Sequence, residues 1–284
     1  MTRGARLAAN VSLTDFNFIR TLVYEHSAIA LDDSKEYLVE ARLSPIARRE
    51  GLSSVSELIR RLRNGDTQLR HDVVAAVATN ETTFFRDMRP FDALREVIIP
   101  QVLTANGGRS LSLWSAAASS GQEAYSLAMV VRDHFPHVPN VTILGTDFAA
   151  DVLTRARAGR YSQLEVNRGL PARLLVKHFV CDGREWQLSD DIRRMVTFRQ
   201  LNLARPLAGM PAIDIVFLRN VLIYFDVATR AQVLRRVASV LRPGGYLFLG
   251  GSETTYGIDD SFELMQPSPK TVCYRLHQVK VGRS

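Results

Sequence analysis

Two cysteines, Cys181 and Cys273, make neither a disulfide framework nor a metal set in a chain of 284 residues. No apolar run reaches the ~20 residues that span a bilayer. The Met-Thr-Arg-Gly start carries no signal-peptide core, so a cytoplasmic chain with buried thiols is expected. Hydrolytic and metal motifs are missing as well: there is no HExxH, no GxSxG and no Cys/His pair at ligand spacing. The histidines, His26, His71, His134, His137, His178 and His277, are scattered and read as surface or core residues. The three-glycine dinucleotide pattern is absent, because Ala116, Ala117 and Ala118 stand where it would begin. That argues against a nicotinamide enzyme. No phosphate-binding lysine motif follows either.

What is present is ordinary in bulk: 46% hydrophobic and 23% charged residues, enough for one large domain or two modest ones. The net charge of +7 suggests an acidic partner. Nucleic acid, an anionic membrane and an acidic protein all qualify.

The most informative stretch is Leu111 to Tyr125, LSLWSAAASSGQEAY. Leu111, Leu113 and Trp114 form a buried strand, and Ser115 to Gly121 has almost no side-chain bulk. Gln122 and Glu123 then open a helix with Leu127, Val130 and Val131 at helical spacing. Such a turn lets backbone N–H groups and a helix N-terminus approach a ligand, although any α/β domain also needs tight turns of this kind.

From this stretch onward strand and helix alternate. Strands are predicted at Val141 to Thr146, Met195 to Leu201, Ile213 to Leu218 and Tyr246 to Gly250, with an antiparallel pair at Phe262 to Met265 and Thr271 to Leu276. Helices are predicted at Ala149 to Ala158, closed by Gly159, and at Val227 to Leu241, stopped by Arg242-Pro243-Gly244-Gly245. The pattern implies an α/β fold with a mainly parallel sheet, whose ligands sit at the carboxyl ends of strands. Glu123, Asp147, Arg219 and Asn220 fall at or just after those ends. Asp147 has two acceptor oxygens for the hydroxyls of a ribose, and it also suits a cap for the following helix. Arg219 and Asn220 directly follow an apolar strand and need partners if buried. Tyr224 and Phe225 either pack a helix start or line a pocket. Residues 160–194 break the alternation and read as a small insert, with β structure expected.

The first ~75 residues look helical and separate. Phe16, Ile19, Leu22 and Val23 form one stripe, and Lys35 to Leu43 a second helix. Ser44-Pro45 suits a cap and first helical position, so a restart at Ile46 is predicted. Ser54 to Leu62 follows, stopped by Asn64-Gly65. From Arg42 to Arg70 there are seven arginines (42, 48, 49, 60, 61, 63, 70) against Glu50, Glu57 and Asp66. This is either a solvated helical face or a docking surface. The connecting stretch, TNETTFFR at 79–86, is too rich in hydroxyls, aromatics and charge for a mere spacer. Phe84 and Phe85 either anchor it to a core or help line a pocket.

Taken together, TNETTFFR (79–86), LWSAAASSGQEAYSLA (113–128), GTDFAADVLTRARAGRY (145–161), DIVFLRNVLIYFD (214–226) and RPGGYLFLGGSE (242–253) resemble the chemotaxis receptor glutamate methyltransferases, the CheR type. The resemblance runs from about residue 15 to 277. It implies an N-terminal all-helical receptor-recognition domain (1–75), a linker contributing to the cofactor site (76–100) and a class I S-adenosylmethionine-dependent, Rossmann-like methyltransferase domain (101–284) with an inserted β subdomain at about 160–194. The cofactor implied is S-adenosylmethionine, leaving as S-adenosylhomocysteine, without a metal.

By the same resemblance, Asn80, Thr82 and Arg86 are linker contacts to the cofactor, Glu123 the acid after the cradle and Asp147 the ribose-binding acid. Asn202 and Leu203 flank the adenine, and Arg219 and Asn220 follow the fourth strand. Arg86 and Tyr224 handle the substrate, a receptor glutamate. That carboxylate is ionised at neutral pH and is itself the nucleophile, which accounts for the absence of a catalytic histidine. Arg42, Arg48 and Arg49 resemble the basic helix that meets the acidic methylation helices of chemoreceptors. A monomer is implied, with no nucleic-acid partner and no membrane insertion, and a regulatory adaptor protein is a further partner the resemblance admits. Cys181 to Trp186 is shorter than the loop with which tethered members bind a receptor C-terminal pentapeptide, so independence of that tether is expected. Two alternatives stand beside this reading. One is a non-catalytic cofactor-binding scaffold, against which Arg86 and Tyr224 speak. The other is a nucleic-acid methyltransferase, whose Asn/Asp-Pro-Pro-aromatic motif does not occur.

Overall fold

The computed structural model describes residues 11–78 and 81–277. They divide into two compact units, 11–78 with 224–226, and 81–223 with 227–277.

The first unit is built on four helices, α1 (Leu13–Ser27), α2 (Glu36–Arg49), α3 (Val55–Arg63) and α4 (Thr67–Val77). Three of them start where a short polar side chain takes up an orphan N–H. Ser12 accepts from Asp15 N at 3.1 Å, Ser54 from Glu57 N at 3.2 Å and Asp66 from Leu69 N at 3.0 Å. Their apolar stripes face one another: Phe16, Ile19 and Val23, then Leu58, Ile59 and Leu62, then Val73 and Val74, are all fully buried. Each such side chain stabilises the unit by about 1.5–3 kcal/mol.

The predicted break at Ser44-Pro45 does not occur. Helix α2 runs through Pro45 without restarting. Val39, Leu43, Ile46 and Ala47 form a buried stripe that continues across the proline, and burying it outweighs the missing N–H. Ser44 turns its hydroxyl back onto Glu40 O at 2.7 Å rather than capping a new helix. Residues 224–226 cluster with this unit. Ala30 N donates to Tyr224 O at 2.8 Å and the Tyr24 hydroxyl to Asp226 at 2.6 Å.

The second unit opens with α5 (Arg89–Ala93), a π-turn at Leu94–Ile98 and α6 (Ile99–Asn106). Then follow β1 (Leu111–Ala116), α7 (Gln122–His134), β2 (Val141–Asp147) and α8 (Ala150–Ala158). The insert holds β3 (Arg160–Ser162), α9 (Gln163–Asn167), α10 (Ala172–His178), β4 (Phe179–Asp182) and β5 (Glu185–Leu188). After α11 (Asp190–Arg193) come β6 (Val196–Gln200), β7 (Ile213–Leu218), α12 (Val227–Val240), β8 (Leu241–Leu249), β9 (Phe262–Ser268) and β10 (Thr271–Leu276).

The main sheet has the order β6-β2-β1-β7-β8-β10-β9. β6, β2, β1, β7 and β8 are parallel, while β10 runs antiparallel to both β8 and β9. β1 and β7 are buried along their whole length, as expected of central parallel strands. The order reverses beside β1, so β1 and β7 flank the switch point where α/β sheets bind ligands. The insert is a separate three-stranded sheet, β3-β5-β4, with helices of its own.

The stop sequence Arg242 to Gly245 ends α12 as expected, but it lies inside β8 rather than in a loop. Pairing with β7 shifts register there, which absorbs Pro243 and the positive φ of Gly244. Phe84 and Phe85 are core residues. The Phe84 ring meets Tyr161 and Phe179 edge-on, at 4.9 and 5.6 Å between centroids, and so pins the connecting segment to the insert. Among the described residues no helix is long and apolar enough to cross a membrane.

Candidate functional site

The turn after β1 takes left-handed backbone at two non-glycine residues as well as at Gly121. Ala117, Ser119 and Gly121 all have positive φ (60°, 50° and 94°). Ala118 N donates to Thr146 O at 2.8 Å and Ser119 N to the Asp147 carboxylate at 2.9 Å, which ties the turn to the end of β2. Gly121 is required both for its φ and for space, since a Cβ there would lie 3.0 Å from Ala156 and 3.1 Å from Phe198.

Asp147 does not cap α8 directly, because the cap position is Ala149. Its second oxygen accepts from Ala149 N at 3.0 Å, in the turn that leads into the helix. A carboxylate has about four acceptor sites, so two remain for a bound hydroxyl pair. Burial pushes the Asp147 carboxyl above its usual range, and the Ala149 and Ser119 N–H groups oppose that rise. Leu201 N donates to Asp147 O at 2.9 Å, which brings Asn202 and Leu203 to the same strand edge. There Asn202 accepts from Ala204 N at 2.9 Å and Leu203 is buried.

On the other side of β1, the Ser115 hydroxyl donates to Glu123 at 2.8 Å, and Arg219 reaches the other Glu123 oxygen at 3.2 Å. The Arg219 guanidinium, 1% exposed, also pairs with Asp87 at 2.8 Å. Burial raises the Glu123 carboxyl, while Arg219 and Ser115 lower it. Arg86 follows Phe85, whose N–H donates to Ser126 at 3.0 Å on α7. Arg86 is half-buried, and its charge also acts on Glu123. Its guanidinium touches only the Glu81 carbonyl, at 3.4 Å, and has no carboxylate partner among the described residues. Thr82 is half-buried on the same segment. Asn80 lies outside the described residues.

Two residues beyond those anticipated complete this edge. Asp87 is the second partner of Arg219. Glu253, after β8, accepts from Asn220 N at 2.7 Å, Val221 N at 2.9 Å and Gly250 N at 2.6 Å, which fastens the segment after β7. An acid just past the Gly250-Gly251 pair at a strand end was the one signal for Glu253 in the sequence. For Asp87 there was none beyond its place next to Arg86.

Seven non-glycine residues have positive φ among the described ones. Five of them are Phe85, Asp87, Ala117, Ser119 and Asn220, all in these segments. Strain of about 1–3 kcal/mol each, gathered in one place, marks a site rather than chance turns.

The remaining candidates sit in the first unit. Tyr224 clusters with the helical unit as described above. Arg42 gives its guanidinium to the carbonyls of Ala76 and Val77, at 3.2 and 3.0 Å, and of Ala78, at the C-terminal end of α4. Arg49 pairs with Asp72 and Glu50. Of the three arginines expected on a docking face, Arg48 alone is exposed and without an ion-pair partner among the described residues.

The site residues fit S-adenosylmethionine. Asp147 offers acceptors to a ribose. The buried Arg219 Nε and Asn220 Oδ1 have no hydrogen-bond partner in the protein. A donor and an acceptor left open side by side complement the carboxylate and ammonium of an amino-acid end. The small residues of the turn leave room between. Of the histidines, His178 is buried against Asp133, at 3.0 Å on α7, away from this edge. Among the described residues no group of three or more His, Cys, Asp or Glu could hold a metal ion.

Comparison with known proteins agrees with this geometry. Residues 80–271 match the family model described as "CheR methyltransferase, SAM binding domain", and residues 14–77 match "CheR methyltransferase, all-alpha domain". The chain is 40% identical to chemotaxis protein methyltransferase 1 of Pseudomonas aeruginosa over 262 residues, covering 90% of this chain and 95% of that protein. It is also 40% identical to the chemotaxis protein methyltransferase of Vibrio anguillarum over 276 residues, 95% of this chain and 99% of that one. With a reversed parallel sheet, a strained turn tied to a buried carboxylate and both family models matched in order, the chain belongs to the CheR methyltransferase family.

Proposed function

We propose that the protein transfers the methyl group of S-adenosylmethionine to glutamate side-chain carboxylates of chemoreceptors, forming methyl esters, without a receptor pentapeptide tether. The observation that carries the reading is Arg86: a half-buried guanidinium without a carboxylate partner, whose charge reaches Glu123 at the cofactor edge. Such a group is a receptor for an incoming carboxylate.

When bound, S-adenosylmethionine supplies a methyl group on a sulfonium cation. The protein's task is then placement. Asp147 holds the nucleoside end, and Arg219 with Asn220 the amino-acid end. Arg86 orients the glutamate carboxylate, and Tyr224, by its match to the family motif, gives it a neutral donor. No proton has to be removed, because the glutamate is already ionised. Excluding water strengthens every one of these polar contacts, and holding the oxygen in line supplies much of the rate. Arg86 must orient more than bind, since tight pairing would stabilise the ground state. The reading places a monomer in the cytoplasm, acting on cytoplasmic methylation helices. Independence of the tether is supported by the β4–β5 connection, a tight turn through Gly183 and Arg184.

The test is transfer of labelled methyl to purified receptor cytoplasmic domains. Glutamate methyl esters would be identified by mass spectrometry and by methanol release in mild base. Arg86→Ala is expected to remove most turnover, about 100-fold or more, in a domain that still melts cooperatively. Full activity of that variant would refute the role of Arg86. Calorimetry with a receptor C-terminal pentapeptide should show no binding at micromolar concentration, and a micromolar dissociation constant would overturn the tether-free reading.

A further inference from the structure

Past Arg219 the carboxyl edge of the main sheet opens into a second cleft of about 860 Å³. It is lined by Leu249 and Gly250 at the end of β8 and by Glu253. Met88 and Arg89 at the start of α5 line it as well, as do Leu264, Lys270 and Val272 on the β9–β10 hairpin. Arg219 and Asp87 belong to this cleft and to the cofactor edge alike, so the two spaces share a wall.

The charges in the cleft do not cancel. Asp87 is paired with Arg219, and Glu253 is occupied by backbone N–H groups. Arg89 and Lys270 are exposed and have no ion-pair partner among the described residues. Beside them lie three large apolar side chains in water: Met88 at 38%, Leu264 at 63% and Val272 at 47% exposure. Scattered apolar residues need no explanation, but three around one opening beside two unpaired cations form a patch. Small-molecule pockets run from ~300 to ~1,000 Å³, so this volume exceeds what one glutamate side chain fills and suits several residues of a polypeptide. A nucleic acid would use the cations but not the apolar wall.

We infer that this cleft seats the stretch of receptor chain flanking the target glutamate, with neighbouring carboxylates on Arg89 and Lys270 and apolar side chains against Met88, Leu264 and Val272. The inference rests on the proposed receptor methylation and adds a substrate contact surface to the second unit.

The test is steady-state methyl transfer to the best acceptor in a panel of receptor cytoplasmic domains, with S-adenosylmethionine affinity measured in parallel by calorimetry. Arg89→Glu/Lys270→Glu should raise the receptor KM about tenfold while cofactor Kd stays within about twofold. Arg89→Lys/Lys270→Arg should keep the wild-type KM, and its salt sensitivity should match wild type. Leu264→Asp, at an exposed site, should raise KM independently and decides the matter if the double reversal fails to fold. A receptor KM within about twofold of wild type in both Arg89→Glu/Lys270→Glu and Leu264→Asp overturns the inference alone. A wild-type protein that methylates no receptor in the panel overturns the proposed function and this inference with it.

Discussion

At Asp147 burial and hydrogen bonding pull in opposite directions. Burial is the larger effect, and the carboxyl stays above its ordinary range despite the backbone N–H groups of Ala149, Ser119 and Phe148. A carboxyl raised in the folded state stabilises the fold below its unfolded pKa of ~3.9, and that contribution is lost as pH rises through the folded value. Cofactor binding has the opposite sign, since only the ionised form accepts two hydroxyls. Affinity for S-adenosylmethionine should therefore weaken as pH falls, along an arm lying above the usual carboxylate range. Asp147→Asn should weaken binding by about 10- to 100-fold, as expected for lost hydrogen bonds to a charged group, and should flatten that arm. Calorimetry between about pH 5 and 8 checks both, and any arm left in the variant reports Glu123, also raised by burial. Glu253 carries a second prediction at this scale. Glu253→Ala strands four N–H groups, at Asn220, Val221, Ile223 and Gly250, at about 1–3 kcal/mol for each one that stays dry. Its melting temperature should drop and its cofactor Kd rise together, in a thermal melt and a titration. Asp147 and Arg219 were legible in the sequence because each ends an apolar strand. Glu253 and Asp87 were not, because what they hold lies 33 and 132 residues away along the chain.

Among elements, the buried strands were the easiest to read. Val141–Asp147 and Ile213–Leu218 are apolar runs too short for helices, and the fold uses them as central parallel strands. Turn chemistry was less reliable as a guide. Arg242 to Gly245 reads as a loop, yet neighbouring β7 draws it into a ladder. Ser44-Pro45 reads as a helix boundary, yet the apolar stripe of α2 passes through it. Local preference lost to packing in both cases. Pro45 is exposed, so its replacement removes no core contact. Pro45→Ala restores an N–H for Ala41 O and removes the ring from the helix interior, worth ~3 kcal/mol, while loosening the unfolded chain costs ~0.4–1 kcal/mol. The variant should be more stable by about 2 kcal/mol in chemical denaturation. A loss of stability would show that the proline fits a bend on which the unit depends.

At the scale of the whole molecule the net charge of +7 is unevenly used. Most arginines of the first unit are tied up: Arg42 on the end of α4, Arg49 on Asp72, Arg61 on Glu50 and Asp66, Arg63 on Asp15. The sequence shows their number but not these pairings, so its basic stretch looks more available than it is. Arg48 in one unit and Arg89 and Lys270 in the other are among the exposed cations without ion pairs in the described residues, and an acidic partner would meet them. Exposed charges are screened over ~10 Å at 0.1 M salt, whereas buried pairs are screened far less. Salt should therefore separate the two binding events. Between about 50 and 300 mM NaCl, kcat/KM for receptor should fall several-fold through slower encounter, while cofactor Kd, which in the proposed site rests on buried Asp147, Glu123 and Arg219, should change less than about twofold. Arg48→Ala should make the slope for receptor shallower without moving the cofactor value. Were kcat/KM to stay flat across that range, the basic charge would have no part in finding the receptor, and recognition would have to rest on apolar contact alone.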